Sequence, residues 1–394
     1  MTTRTMRFGL AATAAAAMTA SSLAAPAAAP AAADPAAASA LAPDRDHHRS
    51  TQQAMDAAVK DGVPGVTGQA MDKYGTWNGT SGVGNQKTRQ PRGAKDRYRV
   101  ASTTKTFVST VLLQLEAEGE IGLDDTVEQW LPGVVHGHGH DGSKITVRQL
   151  LNHTSGIYNW TLDPEIQRTL FSKEFLKHRH RTWTPEQQVR IAMRHEPKFA
   201  PGQGWNYSDT NYIVAGMITK KVTGQSYGDE IRRRIIEPLD LEATSLPGTD
   251  PHLPQPSSRA YSTLRDPKGK KTYDVTEYNP SVAGAAGEMV SDSADLNRFF
   301  TALMRGKLLP KQQLAEMMTT VPMDEENPDL GYGLGLRRSK ASCGKEVWAH
   351  GGSFHGTVAV GATTRDGSHA LAVNFNGEWA GDIEAVIDAE FCGR

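Results

Sequence analysis

This chain has few cysteines and almost no net charge. Its 394 residues include two cysteines, too few for a fold built on disulfides or for a structural zinc site with thiolate ligands. The 43 basic and 44 acidic side chains give a net charge of -1, whereas nucleic-acid-binding proteins usually need a surplus of Lys and Arg to displace counterions from phosphates. Nucleic acid is therefore not an expected partner, and fold and function must come from a packed core and from sequence motifs.

Long apolar runs are also missing. After the first forty residues no stretch reaches the roughly 18 apolar residues of a membrane span, so none is expected. The start of the chain differs, because Arg4 and Arg7 precede a short apolar run, Phe8 to Ala20, and Ala-x-Ala triplets follow. This order is typical of a secretory signal peptide, which we place at residues 1–33, before a linker at residues 34–49. We therefore expect a secreted, extracytoplasmic protein.

Export determines how the two cysteines are interpreted. In an oxidising compartment a matched pair usually forms a disulfide, so Cys343 and Cys392 are predicted to be linked. Neither cysteine has beside it the partner base that a catalytic thiol would need. The bridge would close a loop of about 50 residues. For a loop of that length, the stabilisation expected from the chain-entropy model lies near the upper end of the range for disulfides.

Both ends of the chain show strand patterns, whereas the middle is mostly helical. A helix is predicted at Ser50 to Lys60, followed by a hairpin. The predicted hairpin strands, the three C-terminal strands and the closing helix are Val66 to Met71, Thr76 to Val83, Glu346 to Ala349, Gly356 to Thr363, His369 to Phe375 and Asp382 to Phe391. We predict an α/β fold in which residues 50–110 and 280–394 form one sheet flanked by helices, with an all-helical insertion at residues 111–279.

The first chemical motif is V-A-S-T-T-K at residues 100–105. Apolar residues after it recur on one helical face, so Ser102 is predicted to lie at the start of a helix with Lys105 one turn later on the same side. A serine hydroxyl is a poor nucleophile at neutral pH, and a neighbouring ammonium together with the helix dipole would favour a developing anion. A serine N-cap beside a surface lysine is the alternative, because an isolated S-x-x-K is common.

Two further motifs favour the catalytic interpretation. Residues 199–212 read F-A-P-G-Q-G-W-N-Y-S-D-T-N-Y, a loop that presents Tyr207, and residues 348–356 read W-A-H-G-G-S-F-H-G, a strand in which two glycines follow His350. In this order the three motifs resemble S-x-x-K, Y-x-N and K/H-T-G of the penicillin-recognising serine hydrolases. Similar segments, such as I-T-V-R-Q-L-L-N-H-T-S-G and G-Y-G-L-G-L, make the chain most similar to secreted serine-type D-Ala-D-Ala carboxypeptidases related to class C beta-lactamases.

The resemblance implies a beta-lactamase/transpeptidase-like fold, with an antiparallel sheet, and a role for each motif residue. Ser102 would be the acylated nucleophile and Lys105 the cation that orients it. Either Tyr207 or Lys105 would take the serine proton, and Tyr207 in that role would need its pKa lowered by neighbouring cations. His350 would add a donor or a positive charge facing the tyrosine. The backbone N–H groups of Ser102 and Ser353 would form the oxyanion hole.

Two positions depart from the family pattern. Asp209 stands where Asn is usual, and its carboxylate would repel acidic substrate ends unless a cation such as Lys105 pairs with it. Gly351 stands where Thr is common, which removes a hydroxyl near the substrate. Gly351 and Gly352 are expected to let a ligand backbone approach the strand edge. Arg337 is placed either to bind a terminal carboxylate or to serve as a structural surface side chain.

These observations predict a hydrolase that acts through an acyl-enzyme without a cofactor. The expected protein is a monomer that cleaves a D-alanyl-D-alanine cell-wall peptide or another small acyl substrate and is inhibited by beta-lactams. A beta-lactamase, an esterase or a D-amino-acid peptidase of the same family is one alternative, and a catalytically weak penicillin-binding protein is another. His136, His138 and His140 alternate with glycines, but a flexible loop rarely holds a fixed metal geometry, so no metal site is expected.

Overall fold

Strands and helices follow one another along residues 47–266 and 271–393, which are the residues that the computed structural model describes. The strands are β1 (Gly65–Asp72), β2 (Gly75–Gly82), β3 (Tyr98–Arg99), β4 (His136–Gly137), β5 (His140–Asp141), β6 (Tyr261–Ser262), β7 (Tyr273–Asp274), β8 (Val290–Ser291), β9 (Val321–Pro322), β10 (Gly331–Tyr332), β11 (Arg337–Lys340), β12 (Glu346–Phe354), β13 (Thr357–Thr363) and β14 (Ala370–Phe375). The α-helices are α1 (Arg49–Lys60), α2 (Thr104–Ala117), α3 (Val127–Trp130), α4 (Val147–Leu151), α5 (Pro164–Leu170), α6 (Phe175–His178), α7 (Pro185–Ala192), α8 (Asp209–Thr223), α9 (Tyr227–Ile231), α10 (Ser293–Met304), α11 (Lys311–Met318) and α12 (Ile383–Cys392). The predicted signal peptide and residues 34–46 of the predicted linker lie outside the described residues.

One eight-stranded sheet joins the two ends of the chain. Its order is β2-β1-β14-β13-β12-β11-β10-β9, and every neighbouring pair is antiparallel. The N-terminal hairpin meets the C-terminal strands where β1 pairs with β14, with Val66 opposite Phe375. The sheet therefore has the predicted architecture. It is wider than predicted, because β9, β10 and β11 add three strands at one edge. β12 is also longer than the predicted strand, because it continues past its two glycines to Phe354.

Apolar side chains cover both faces of the sheet. On one face α1 and α12 pack around a core that includes Met55, Val373 and Phe391. On the other face lies α10, whose Phe299 stacks on Phe107 of α2 with ring centroids 3.6 Å apart. All six residues of β14 are buried, as expected for a central strand with both faces covered. This packing fixes the start of α2 against the sheet.

A disulfide ties the C-terminal helix α12 to the sheet, and the N-terminal helix α1 packs against α12. Cys343, in the turn between β11 and β12, is bonded to Cys392 at the end of α12, and their Cα atoms are 5.6 Å apart. The predicted disulfide is thus confirmed. The first helix begins at Arg49 rather than at Ser50, and His48 before it is buried, so the folded region starts slightly before the predicted boundary.

Between α2 and β8 most of the regular elements are helices, but the described residues also form two short hairpins, β4–β5 and β6–β7, so the insertion at residues 111–279 is not all-helical as predicted. Within residues 47–266 and 271–393, no helix is long and apolar enough to cross a membrane. The start of α2, the start of α8 and the middle of β12 come together between this helical part and the sheet. The residues of the three predicted motifs therefore share one location.

Candidate active site

Ser102 lies in a tight turn between β3 and α2. A 3-10 turn at Ala101–Thr103 leads directly into α2, and no side chain caps the start of either element. Ala101 has a φ of +45°, in the left-handed region that non-glycine residues rarely adopt, so backbone strain is held directly before the predicted nucleophile. Lys105 has no exposed surface. The alternative of a serine N-cap beside a surface lysine is therefore wrong.

Gly352 allows β12 to lie against this turn. A Cβ atom on Gly352 would come within 2.3 Å of the Val100 carbonyl oxygen and 2.5 Å of the Ser102 backbone nitrogen. The Thr103 hydroxyl supports the same contact by donating to the carbonyl oxygen of His350 at 3.1 Å. The absence of a side chain at Gly352 thus makes room for the turn at Ala101–Thr103. It does not make room for the backbone of a ligand, as was predicted for this glycine.

Lys105 donates hydrogen bonds to three acceptors from its buried ammonium group. Nζ lies 3.1 Å from Ser102 Oγ, 2.7 Å from Asp209 Oδ1 and 2.8 Å from the Ala286 carbonyl oxygen. Burial lowers the pKa of Lys105, but the Asp209 carboxylate and the Tyr207 phenol outweigh burial and the net shift is upward. Lys105 therefore rests as an ammonium ion beside Ser102.

Tyr207 lies just before α8, with its ring centroid 4.8 Å from Lys105 Nζ. Its hydroxyl interacts with both Lys105 and Ser102. Burial raises the pKa of Tyr207, Lys105 lowers it and Asp209 raises it again, so that the net shift is upward. The free protein therefore does not give Tyr207 the lowered pKa that it would need to act as the base, because the phenol is desolvated and the cation beside it is paired with a carboxylate.

His350 is buried on β12 and its ring contacts Tyr332. Nδ1 lies 2.7 Å from the Gly351 carbonyl oxygen, which can only accept, so Nδ1 carries a proton. Nε2 then accepts from the Tyr332 hydroxyl at 2.7 Å. Burial, helped by the charge of Lys105, lowers the pKa of His350 to about 3. The imidazole is neutral, so the predicted positive charge facing Tyr207 is not supplied by His350.

A pocket of about 100 Å³ opens beside Ser102. Trp160, Phe171 and Phe354 provide aromatic side chains for its wall. Ser353 lies in the lining together with Ser102, so the two residues predicted to supply the oxyanion hole face the same space. An acyl group bound at Ser102 would have its side chain among aromatic rings.

Asp209 is the first residue of α8 and lines this pocket. One carboxylate oxygen, Oδ1, accepts from Lys105, and the side chain keeps 24% of its surface exposed. The other oxygen, Oδ2, makes no hydrogen bond within the described parts of the chain. Asp209 is therefore paired with Lys105, one of the two arrangements expected from the sequence, and it still offers an acceptor to the pocket.

Several predicted residues lie away from the pocket. Arg337, on β11, donates to Glu384 of α12 at 2.6 Å, as expected of a structural arginine. Gly351 is exposed on β12, where an added Cβ would meet no described atom closer than 3.5 Å. Neither Arg337 nor Gly351 belongs to the described residues that line the pocket.

The three alternating histidines lie around the β4–β5 hairpin. His140 is buried, whereas His136 is exposed. Within residues 47–266 and 271–393, no group of three or more His, Cys, Asp or Glu side chains is arranged to hold a metal ion. The catalytic interpretation therefore depends on the Ser102 site.

Sequence analysis did not assign five residues to the site. The wall residues Trp160, Phe171 and Phe354 come from two distant segments, and no sequence pattern links them. Tyr332 and His153 lie in G-Y-G-L-G-L and H-T-S-G, which resemble family segments but carry no spacing that indicates chemistry. The resemblance of these segments was the available signal.

Known structures with the same architecture include two amide hydrolases. The chain is 58% identical to a D-stereospecific amidohydrolase from Streptomyces sp., with a TM-score of 0.85 over 88% of this chain and 99% of that one. It is 27% identical to the D-amino acid amidase from Ochrobactrum anthropi SV3 complexed with L-phenylalanine amide, with a TM-score of 0.75 over 87% of this chain and 98% of that one.

Curated relatives found by sequence include penicillin-binding proteins. A penicillin-binding protein of Bacillus subtilis (strain 168) is 27% identical over 286 residues, which are 70% of this chain and 59% of that protein. The chain thus spans less than two thirds of that relative's length. Residues 48–387 match the family model described as Beta-lactamase, and this range contains all three motifs and the pocket. The chain therefore belongs to the beta-lactamase family of serine hydrolases.

Proposed function

We propose that the protein hydrolyses amides of D-amino acids that have a free α-amino group and an apolar side chain, through an acyl-enzyme at Ser102. The observation that carries this proposal is the free Oδ2 of Asp209 in an aromatic-walled pocket beside Ser102. An ionised carboxylate only accepts hydrogen bonds, so it suits a substrate ammonium better than a carbonyl or a carboxylate. The aromatic wall suits an apolar side chain.

The D configuration and the amide bond are supported by the relatives. The 58% identical protein is named a D-stereospecific amidohydrolase, and a second relative is named a D-amino acid amidase. Both matches cover nearly the whole of the related chain. An amide of an apolar D-amino acid is therefore the first substrate class to test.

Acylation joins Ser102 Oγ to the substrate carbonyl carbon and breaks the carbon–nitrogen bond. The serine proton enters the Lys105–Tyr207 pair and passes to the leaving nitrogen, which departs as ammonia or an amine. The backbone N–H groups of Ser102 and Ser353 stabilise the negative oxygen of the intermediate. Water then attacks the ester carbonyl, gives a proton to the same pair, and Ser102 regains its hydroxyl proton.

The Lys105–Tyr207 pair must first lose a proton to act as a base. In the free protein the Asp209 carboxylate favours the lysine ammonium, and burial favours the neutral phenol. A substrate ammonium at Oδ2 of Asp209 adds positive charge next to the pair, which lowers the pKa of both groups and favours release of one proton to solvent. Binding of the correct substrate thereby activates the site.

A panel of three substrates tests this function: D-phenylalanine amide, its L enantiomer and its N-acetyl derivative. We expect turnover of the free D-amide, and a loss of kcat/KM of about 10- to 100-fold on N-acetylation, since one charge-assisted hydrogen bond is removed. Ser102→Ala should abolish turnover and covalent labelling by a fluorescent penicillin. Equal turnover of the free and acetylated amides would contradict the role given to Asp209.

A D-Ala-D-Ala carboxypeptidase is the second candidate. Arg337 is close enough to His350 to contribute to its lowered pKa, and a penicillin-binding protein is among the relatives. Binding of a terminal carboxylate would require Arg337 to leave Glu384, its partner at 2.6 Å. Faster release of D-alanine from an N-acylated D-Ala-D-Ala peptide than of ammonia from D-phenylalanine amide would favour this candidate.

We also propose that the protein acts outside the cytoplasm. The N-terminal pattern of a signal peptide and the Cys343–Cys392 disulfide both fit an oxidising compartment. The mature protein is expected in the extracytoplasmic fraction with an N-terminus near residue 34. Recovery of the protein inside the cell with residues 1–33 still attached would contradict export.

A further inference from the structure

His153 is fully buried beside Tyr207, although its motif, H-T-S-G, has no assigned chemistry. The centroid of its imidazole ring lies 4.3 Å from that of the Tyr207 ring. Trp205, Tyr212 and Tyr332 also contact the imidazole, with centroids between 4.9 and 6.1 Å away. A histidine enclosed in this way can affect the reaction through the residues that it holds in place.

His153 holds the backbone on both sides of Tyr207. The Asn206 N–H donates to the His153 carbonyl oxygen at 3.0 Å, and the Ser208 N–H donates to Nδ1 of the ring at 3.2 Å. Tyr207 is the single residue between these two donors. A shift of the Tyr207 phenol relative to Ser102 would therefore stretch at least one of the two hydrogen bonds.

The same ring nitrogen also holds the beginning of α8. Asn211 donates from Nδ2 to His153 Nδ1 at 3.1 Å. Ser208, the residue before α8, provides no side-chain cap of its own. Asp209 lies between the two residues that donate to His153, so one nitrogen fixes the segment that carries both Tyr207 and Asp209.

The ring can accept these bonds in one protonation state only. A backbone N–H always donates, so Nδ1 has no proton and the neutral ring carries its proton on Nε2. Nε2 is buried and has no hydrogen-bond partner within the described residues. Burial, together with the charge of Lys105, lowers the pKa of His153 well below its usual range, which keeps Nδ1 free to accept.

The backbone of His153 is in a conformation that is uncommon for residues with a side chain. Its φ is +64°, in the left-handed region where glycine is unstrained and where Asn, Asp and His occur more often than other residue types. Glycine would fit this backbone at least as well, so the backbone conformation does not explain why an imidazole stands here. The hydrogen bonds that Nδ1 accepts give the side chain a role of its own.

We propose that His153 is a positioning residue for acyl transfer, whose Nδ1 and carbonyl oxygen set the places of Tyr207 and Asp209 relative to Ser102. This inference rests on the proposed acylation of Ser102, but it holds for any acyl substrate. It differs from a general packing role because it assigns the effect to two acceptor atoms, of which only Nδ1 belongs to the side chain.

Two variants, His153→Asn and His153→Gly, separate positioning from packing. Both residues tolerate a positive φ and both lose the ring, but Asn keeps an oxygen near the place of Nδ1 that can accept the Ser208 N–H. With a chromogenic short-chain ester and with D-phenylalanine amide, we expect His153→Gly to lower kcat about 100-fold with KM little changed, because a displacement of about 1 Å costs that much. His153→Asn should keep most of the kcat.

Equal losses of kcat in the two variants, or an unchanged kcat in His153→Gly, would overturn the inference. A wild-type protein that cleaves neither substrate would contradict the proposed function instead, and that result is obtained before any variant is made. Nitrogen-15 NMR of the wild-type histidines tests the acceptor role even where a variant does not fold. The expected signals for His153 are an unprotonated Nδ1 and a protonated Nε2, and a protonated Nδ1 would overturn the inference.

Discussion

Lys105 and Asp209 form an ion pair at the centre of the site, with Nζ and Oδ1 2.7 Å apart. The lysine side chain is completely buried, whereas 24% of the aspartate side chain is exposed. A substrate therefore meets the pair through its carboxylate. The replacement of the usual Asn by Asp209 changes what the substrate contacts, while Lys105 stays within hydrogen-bond distance of Ser102.

Asp209→Asn should impair the hydrolysis of free amino-acid amides selectively. Without the carboxylate, the substrate ammonium loses a charge-assisted hydrogen bond, so we expect kcat/KM for D-phenylalanine amide to fall about 10- to 100-fold. The N-acetylated amide has no ammonium and should be affected much less. The measurement is the ratio of the two kcat/KM values in the wild-type protein and in the variant.

Glu384→Gln is a matched control for this substitution. It also changes a carboxylate to an amide, but Glu384 is paired with Arg337 and does not belong to the described lining of the pocket. This control should leave the substrate ratio unchanged. A ratio that stays constant in Asp209→Asn as well would mean that the ammonium binds elsewhere.

Gly352 and Gly351 are neighbours on β12 with opposite tolerance for a side chain. Gly352→Ala would place Cβ 2.3 Å from the Val100 carbonyl oxygen, so the turn at Ala101–Thr103 has to move. Because a shift of about 1 Å at reacting atoms costs about 100-fold, we expect kcat to fall by that order. Gly351→Ala places Cβ at ordinary contact distances and should lose far less kcat. Equal kcat in the two variants, at matched thermal stability, would refute this difference.

The elements at the chain ends could be predicted because their patterns are local. β1 was expected at residues 66–71 and spans Gly65–Asp72, and the closing helix was expected to end at Phe391 and ends at Cys392. Ser102 and Lys105 lie together because three residues make nearly one helical turn. Their proximity to Tyr207 follows only from the resemblance, since Tyr207 lies 102 positions after Lys105 in the sequence.

The protonation states could not be predicted from the sequence because they depend on desolvation. The pKa of Tyr207 rises rather than falls because desolvation outweighs the cation beside it, and the burial of His350 keeps its imidazole neutral. The positive φ values of Ala101 and His153 also depend on the surrounding structure, because a positive φ is uncommon for any residue other than glycine. Short strands such as β10 have too few residues to show an alternating pattern.

The Cys343–Cys392 disulfide should stabilise the fold without taking part in the reaction. It closes a loop with a sequence separation of 49 residues, for which the chain-entropy model gives about 4 kcal/mol. Neither cysteine belongs to the described lining of the pocket. Reduction should therefore lower the melting temperature while labelling of Ser102 by a fluorescent penicillin persists at moderate temperature. The control is a variant with both cysteines changed to Ala, whose melting temperature should not respond to reductant. Loss of labelling on reduction of the folded protein would mean that the disulfide is needed for the reaction as well as for stability.

Glu390 of α12 accepts hydrogen bonds from both ends of the folded chain. His48 donates from Nδ1 at 3.0 Å, His369 from Nε2 at 2.7 Å and Thr51 from its hydroxyl at 2.7 Å. Burial raises the pKa of Glu390, but these hydrogen bonds outweigh burial and lower it to about 2. Burial likewise lowers the pKa of His48, but the Glu390 carboxylate outweighs burial and raises it.

The two shifts limit the stabilisation on opposite sides of the pH range. The folded pKa of Glu390 lies below its ordinary value of 4.5, so its contribution to the free energy of unfolding is complete above pH 4.5 and is lost as the pH falls toward 2. The folded pKa of His48 lies above 6.5, so its contribution is complete below pH 6.5 and is lost as the pH rises through the folded value. This cluster therefore stabilises the fold most between pH 4.5 and 6.5.

His48→Phe tests this pH dependence directly. The substitution keeps a ring against Trp77, whose centroid is 5.1 Å away, but removes the donor to Glu390. We expect denaturant unfolding to show a loss of about 2 kcal/mol at about pH 5.5 and a smaller loss at about pH 8.5, where His48 contributes less charge. His252→Phe is the control, because His252 is 70% exposed in its pair with Asp250 and should affect stability little at either pH. An equal loss at both pH values for His48→Phe would mean that the hydrogen bond from the uncharged His48 ring, rather than its positive charge, stabilises the contact with Glu390.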